Sequence, residues 1–421
     1  MSPFQLAALF LTLVAAAGWI NAKALRLPAG VAMLAAGLIG AAALVALRRF
    51  APGVAGVDQA VRVISEVDFP QTVVGYMLAF LLFAGAMQVD LGEMRRRRAA
   101  VWTLATLGVA ASTALVGGGV WLAARALGFQ LPLIWAMVFG SLISPTDPIA
   151  VLAAVRRGDL SRMLQAILQG EALFNDGVGI VVFLALLSLA TGGGAHPEHT
   201  AIQVVLTAGG GLVLGFVAAF VVIRAMATVS DPVVEALLSL ALAVGAYALA
   251  DALHVSGPMA VVAAGLLIGD REARSAMTPE SQTHLIAFWN LVDEVLNALL
   301  FFLLGLEFLV VPFALRYVGL WAVAIPLVVL ARLAVVLPWG AYFHFRNEER
   351  GPSMILAWGG LHGALSLALA LEIPRVPERP AILSMTYAVV VFSIGVQGLT
   401  FGPLVSRLRR RGPRGAEAEA G

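Results

Sequence analysis

Three uncharged apolar runs, Phe4 to Ile20, Ala100 to Leu122 and Ala201 to Ile223, are each long enough to cross the hydrocarbon core of a bilayer as a helix. Similar runs recur along the whole length. Of the 421 residues, 60% are hydrophobic and 12% charged, against about 25% charged in an ordinary soluble domain. Too little polar surface remains to solvate a globule. The expected fold class is an all-α polytopic membrane protein.

Only Ser2 and Pro3 precede the first run, so it lacks the basic segment of a signal peptide and reads as an uncleaved span. The absence of cysteine excludes disulfide frameworks, thiolate metal sites and cysteine nucleophiles. A formal charge of +2 says little about partners, and no nucleic acid or bound cofactor is expected.

Breaks at charged and Gly/Pro-rich joints divide the chain into thirteen candidate spans. They lie near residues 4–20, 28–47, 71–89, 100–124, 131–155, 163–191, 201–228, 234–253, 256–269, 284–311, 315–343, 353–373 and 380–405. When connections alternate between two sides, the side of the C-terminus collects most of the 27 Lys and Arg, including Lys23, Arg95 to Arg98, Arg162 and Arg407. The other side holds Arg48, Arg49, Arg62, Arg125, Arg316, Arg375 and Arg379. By the positive-inside rule, the N-terminus is outside and the C-terminus cytoplasmic.

Thirteen spans permit two six-span halves of opposite orientation joined by one extra helix, the inverted-repeat plan of many secondary transporters. That plan asks for broken helices at matching positions. Span 5 is interrupted by SPTDP (Ser144 to Pro148), and its partner, span 12, by GGLHG (Gly359 to Gly363). Prolines and glycines are common in membrane helices, so one break means little; two matched breaks, one carrying Asp147, point to a transport site.

An ionisable group at a helix centre costs roughly 2.5 kcal/mol or more, so those that persist pair or line a pathway. The candidates are Asp147 in span 5, Glu171 and Asp176 in span 6, Glu294 with Asp293 in span 10, Arg332 in span 11 and His362 in span 12. Pro145 and Pro148 remove the helical donors of the Ser141 and Ser144 carbonyls. The resulting oxygen-rich cavity beside Thr146 and Asp147 suits a hard monovalent cation. In EALFNDGVGIVVF (171–183), Glu171 and Asn175 share a helix face while Asp176 points about 140° from Glu171. Glu171 is therefore available to hold Arg332 as a buried structural pair, and Asp176 to face the cavity.

A carboxylate so placed holds a proton or a cation but not both comfortably. Moving the loaded site between two access states would couple cation flux to proton flux. Asn175 cannot titrate, so Asp176 is the changing charge of that pair, which favours one proton per monovalent cation and no net charge movement.

SPTDPIAV (144–151), GEALFNDGVGIVVF (170–183), FWNLVDEVLNALLFFLLGLEF (288–308), ARLAVV (331–336) and WGGLHGALSLALAL (358–371) resemble the signatures of the NhaP-type sodium/proton antiporters. That group belongs to the cation/proton antiporter family that includes the animal sodium/proton exchangers. The resemblance implies a homodimer, with dimerisation helices mainly in 1–95 and 200–311. It implies a mobile core mainly in 99–191 and 314–408, and a short cytoplasmic tail at 409–421. It further implies that Asp176, Asp147 and the Thr146 carbonyl bind the ion, Asn175 supports the site and Glu171 pairs with Arg332, in the cell's inner (plasma) membrane.

The family often has serine where this chain has Ala172, Leu-Arg-Gly where it has His362, and an acidic residue in span 3, where LLFAGAMQVD offers Gln88 and Asp90. These departures bear on ion preference and pH response. His362 is a candidate pH sensor, against the alternative of a neutral histidine satisfied by backbone carbonyls. The run Met94 to Arg98 is a candidate grip for anionic membrane lipids or an ordinary positive-inside stop. His196, Glu198 and His199 form either a weak divalent-metal site or a solvated loop. Besides Na+, Li+ and K+ are open as cargo. A membrane-embedded aspartyl protease and a passive channel are the rivals from other classes; for the protease, the nearest Gly-Asp run, GLLIGD, ends at Asp270 at the membrane boundary.

Overall fold

The computed structural model describes residues 3–50, 57–65, 68–147, 160–192, 197–270, 277–309, 311, 314–346 and 351–410. In chain order the helices are α1 (Pro3–Ile20), α2 (Ala29–Phe50), α3 (Val57–Ser65), α4 (Leu78–Met87), α5 (Leu91–Arg96), α6 (Arg98–Thr103), α7 (Val109–Ala126), α8 (Leu133–Ile143) and α9 (Arg162–Ala190). There follow α10 (Pro197–Met226), α11 (Pro232–Ala252), α12 (Gly257–Gly269), α13 (Pro279–Leu306), α14 (Val318–Phe345), α15 (Pro352–Gly359), α16 (Ala364–Leu371), α17 (Arg379–Phe392) and α18 (Gly398–Arg410). Among the described residues the β-type pairing is a single isolated bridge, between Asp147 and Leu361.

Eight helical stretches among the described residues are long and apolar enough to cross a bilayer, among them Phe4–Leu25, Arg162–Ala190 and Arg379–Leu408. Among the described residues helix also occurs in the remaining expected segments, but as short apolar pieces such as α8 and α12, or as the more polar α13. Length and composition of single helices therefore mark fewer spans among the described residues than the thirteen that the charged and Gly/Pro-rich joints delimit. Many large apolar side chains are exposed, Phe216, Phe220 and Leu337 among them, as on a lipid-facing surface.

Lipid gives helices little hydrophobic reason to associate, so close backbone packing carries the assembly. Gly37 of α2 crosses Gly305 of α13 so closely that a Cβ on Gly305 would lie 2.8 Å from the Gly37 Cα. Gly117 of α7 meets Met137 of α8 in the same way, at 2.9 Å from its Cα. Of the two glycine runs in the sequence, Gly119 also faces a neighbour, Leu327, while Gly118 and Gly209 face open space.

Among the described residues four π-helical turns, at Asn21–Leu25, Gln71–Met77, Leu104–Gly108 and Ser393–Gln397, widen helices locally. The last of these matters below.

The chain between spans 2 and 3 contains α3, which the sequence reading did not anticipate. Its Asp58 pairs with Arg48 at 3.3 Å on the surface. The run at Met94 to Arg98 falls at the junction of α5 and α6. Asp90 is the N-cap of α5, accepting from the Glu93 N–H at 3.1 Å, so it terminates a helix rather than lining one. Arg97 pairs with Glu93 at 3.4 Å and lies over the Phe343 ring, while Arg95 reaches Asp270 at 3.9 Å. Those ties leave less of the run to grip lipid than its composition suggests. They also place Asp270 at a helix end beside an arginine, unlike half of a buried aspartyl dyad. His196 and the tail from residue 411 lie outside the described residues.

Candidate functional site

Two broken helices cross at the site. Helix α8 ends where Pro145 cannot donate, and the Ser141 carbonyl takes a longer 3.3 Å bond from the Ser144 N–H. That carbonyl is therefore not left open, contrary to the reading from the prolines alone; Pro148 lies outside the described residues. The chain then runs extended through Thr146 to Asp147, whose N–H donates to the Leu361 carbonyl at 2.7 Å. Leu361 belongs to the break between α15 and α16, so one backbone bond ties break to break.

Glycines set how close the crossing is. A Cβ on Gly363 would lie 3.0 Å from the Asp147 Cγ, and one on Gly360 would lie 2.9 Å from the Arg332 Cζ. Even alanine at either position would displace a charged side chain. Helix α9 approaches equally closely: a Cβ on Gly179 would meet Pro145 Cδ at 3.1 Å.

The two faces of α9 meet different surroundings. On one, Glu171 accepts two bonds from Arg332 of α14: Nη1 to Oε1, and Nη2 to Oε2 at 2.8 Å. Arg332 Nη2 also donates to the Leu356 carbonyl of α15 at 3.2 Å. Both side chains are buried, and the bidentate geometry is the strong form of such a pair. Asn175, on the same face, donates to Thr146 Oγ1 at 2.8 Å and accepts from the Thr146 N–H at 3.4 Å. It thus orients the peptide that leads into Asp147.

On the other face, Asp176 lines a cavity of about 100 Å³ with Asp147, Thr146, Ala172, Asp293, Asn297 and Ser366. Asp147 and Asp176 are near enough for their charges to interact. A cation or a proton between them relieves that repulsion. The structure brings together every residue proposed for ion binding, and it puts the Glu171–Arg332 pair outside this cavity.

His362 is buried at the crossing. Its backbone N–H donates to Ser393 Oγ at 2.9 Å, and its Nδ1 lies 3.2 Å from the Pro145 carbonyl. Facing an acceptor, that nitrogen carries the proton. Ser393 sits in the π-helical turn of span 13 and donates in turn to Gln397 at 2.8 Å. The wide turn thus caps the broken helix.

Sequence reasoning put Glu294 before Asp293, and the structure reverses the order. Glu294 is exposed, whereas Asp293 is buried and lines the cavity. Neighbouring residues stand about 100° apart on a helix, so one of them at most faces inward. Asp293 accepts from Asn297 Nδ2 at 2.9 Å and is approached by Gln88 Nε2 at 3.5 Å. Gln88 also lines a larger basin of about 720 Å³, rimmed by Glu93, Arg95, Arg96, Arg162 and Asp270. Asp293 therefore stands between that basin and the cavity lined by Asp147 and Asp176. Among the described residues no three His, Cys, Asp or Glu converge to hold a metal ion.

Glu235 was also missed. It is buried in the first turns of α11 with both carboxylate oxygens lacking a hydrogen-bond partner. Nothing in the residue pattern signals it, because an acid four residues after the capping Asp231 reads as a first-turn surface charge.

Residues 9–407 match the family described as "Sodium/hydrogen exchanger, transmembrane". The chain is 40% identical over 410 residues to the Na(+)/H(+) antiporter NhaP of Pseudomonas aeruginosa, covering 96% of each. It is 34% identical to the Na(+)/H(+) antiporter NhaH of Halobacillus aidingensis, over 82% of this chain and 84% of that one. The solved structure of the sodium proton antiporter MjNhaP1 from Methanocaldococcus jannaschii shares the fold, with a TM-score of 0.71 at 18% identity over 98% of this chain and 99% of that one.

Proposed function

The chain belongs to the transmembrane sodium/hydrogen exchanger family, and from that premise we propose that it is a secondary antiporter exchanging Na+ for H+. The observation that carries the reading is the cavity in which Asp176 and Asp147 sit at the crossing of two broken helices. Either a cation or a proton satisfies the carboxylates, and occupancy by one excludes the other. Alternating access then converts that competition into coupled, opposite fluxes. Asn175 is held by Thr146 and cannot titrate, which supports one-for-one, electroneutral exchange.

In the proposed arrangement thirteen helices cross the inner membrane as two inverted repeats, with the N-terminus outside and the C-terminus cytoplasmic. Residues 99–191 and 314–408 move as a core against 1–95 and 200–311, which also form a homodimer. Packing supports the division: α7, α8, α9, α14 and α15 pack among themselves, as do α2, α4, α11, α12 and α13. Glu171 and Arg332 brace the core, and His362 ties the two breaks together through Pro145 and Ser393.

In everted membrane vesicles holding a preset pH gradient, added Na+ collapses the gradient for the wild type and not for Asp176→Asn. Parallel additions of Li+ and K+ rank the cargo. Full activity in the Asp176→Asn variant refutes the assignment.

A further inference from the structure

Ser366 is one of the residues lining the cavity, and no hydrogen bond accounts for its hydroxyl. It is 1% exposed, it lines the cavity with Asp147 and Asp176, and its Oγ is enclosed without a partner. A buried hydroxyl left unbonded is destabilising, and folded proteins rarely keep one without a use for it. Helical serines usually bond back to the carbonyl four residues earlier, as Ser144 does to Gly140 at 2.7 Å. That route is closed to Ser366. Helix α16 begins at Ala364, so the residue four back is His362, in the break.

Position makes the hydroxyl useful. Gly363 precedes Ser366 by three residues, on the same side of the chain, and already abuts the Asp147 carboxylate. Across the cavity Ala172, one turn before Asp176, brings only a methyl group. The space of about 100 Å³ accommodates a few waters, or a cation with part of its hydration shell.

We propose that Ser366 Oγ is a neutral ligand for the transported monovalent cation, supplied by the second broken helix beside Asp147, Asp176 and Thr146. A hydroxyl is a hard oxygen donor of the kind such a cation takes. Being uncharged, it adds affinity while leaving the proton count of the exchange cycle unaltered. Both broken helices then touch the cargo, so the ion bridges the two elements that cross. The assignment rests on the exchanger reading above.

The test uses the full chain in proteoliposomes, with proton movement measured over a Na+ series at fixed pH. Ser366→Ala raises the apparent KM for Na+ about tenfold and holds the maximal rate within about twofold of wild type. Ser366→Thr keeps the hydroxyl and stays within about threefold of the wild-type KM. Should the alanine variant not reach the membrane, Ser366→Cys gives the same rise, because sulfur is a poor ligand for a hard cation. An unaltered KM beside an exchanging wild type overturns the assignment alone, as does a fall in maximal rate with KM intact. A wild type that moves no protons on Na+ addition overturns the exchanger reading and this assignment with it.

Discussion

Replacing Arg332 by methionine tests whether the two faces of α9 are as separate as their geometry implies. The guanidinium makes two bonds to Glu171 and a third to the Leu356 carbonyl, joining α9, α14 and α15. Arg332→Met removes all three and leaves the Glu171 carboxylate, 1% exposed, without its counter-charge. Breaking one side of a buried ion pair costs about 3–5 kcal/mol, whereas exchanging both members for apolar residues of similar volume is close to neutral. The single variant is therefore strongly destabilised, and Glu171→Leu combined with Arg332→Met recovers at least half of the loss.

Denaturant unfolding of detergent-solubilised protein, followed by tryptophan fluorescence, gives the double-mutant cycle. The expected coupling is about 2 kcal/mol or more. Transport closes the argument, because Asp176 lines a different cavity. Folded Arg332→Met protein keeps its KM for Na+, while Asp176→Asn keeps its stability and loses exchange. Additive single effects below about 1 kcal/mol each, or a shifted KM with stability unaltered, would refute the separation.

Asn175→Asp adds a second titratable group and loses the donor to Thr146 Oγ1. Exchange by that variant responds to an imposed membrane potential where the wild type does not, and equal indifference to potential argues against Asn175 as the source of electroneutrality. Gly363→Ala places a methyl 3.0 Å from the Asp147 Cγ and raises the KM for Na+ in the vesicle assay; an unaltered KM shows that Asp147 can shift without consequence. Asp293→Asn removes one charge from the cavity wall while retaining a side chain of nearly the same shape. It raises the KM for Na+ by less than about tenfold, and an abolished exchange would instead place Asp293 at the binding step.

The spacing of Glu171, Asn175 and Asp176 disclosed that Glu171 and Asp176 face different neighbours on α9, because helical periodicity fixes angles within one helix whatever surrounds it. The breaks at SPTDP and GGLHG were legible for a similar reason: proline cannot donate and glycine resists helix, both local facts. Asp293 was obscured because choosing it over Glu294 requires the rotational phase of α13, and that helix carries polar groups on more than one side. Glu235 was hidden by its resemblance to an ordinary first-turn acid. Ser366 escaped because its lack of a partner depends on α16 starting at Ala364, a boundary set by the crossing with span 5.

The same dependence explains GGLHG itself. Gly360 makes room for the Arg332 guanidinium and Gly363 for the Asp147 carboxylate, three residues apart. Between them Leu361 accepts the Asp147 N–H, and His362 reaches Pro145 and Ser393. The brace and the ion site, kept apart on the two faces of α9, thus meet again in one short break. Its residues are fixed less by the need to interrupt a helix than by the groups packed against them, charged side chains at the two glycines and backbone and hydroxyl partners between. A proton or cation that shifts Asp147 therefore acts on both broken helices at once, through the Asp147–Leu361 bond, and because both breaks lie in the segments proposed to move together, that bond travels with the core.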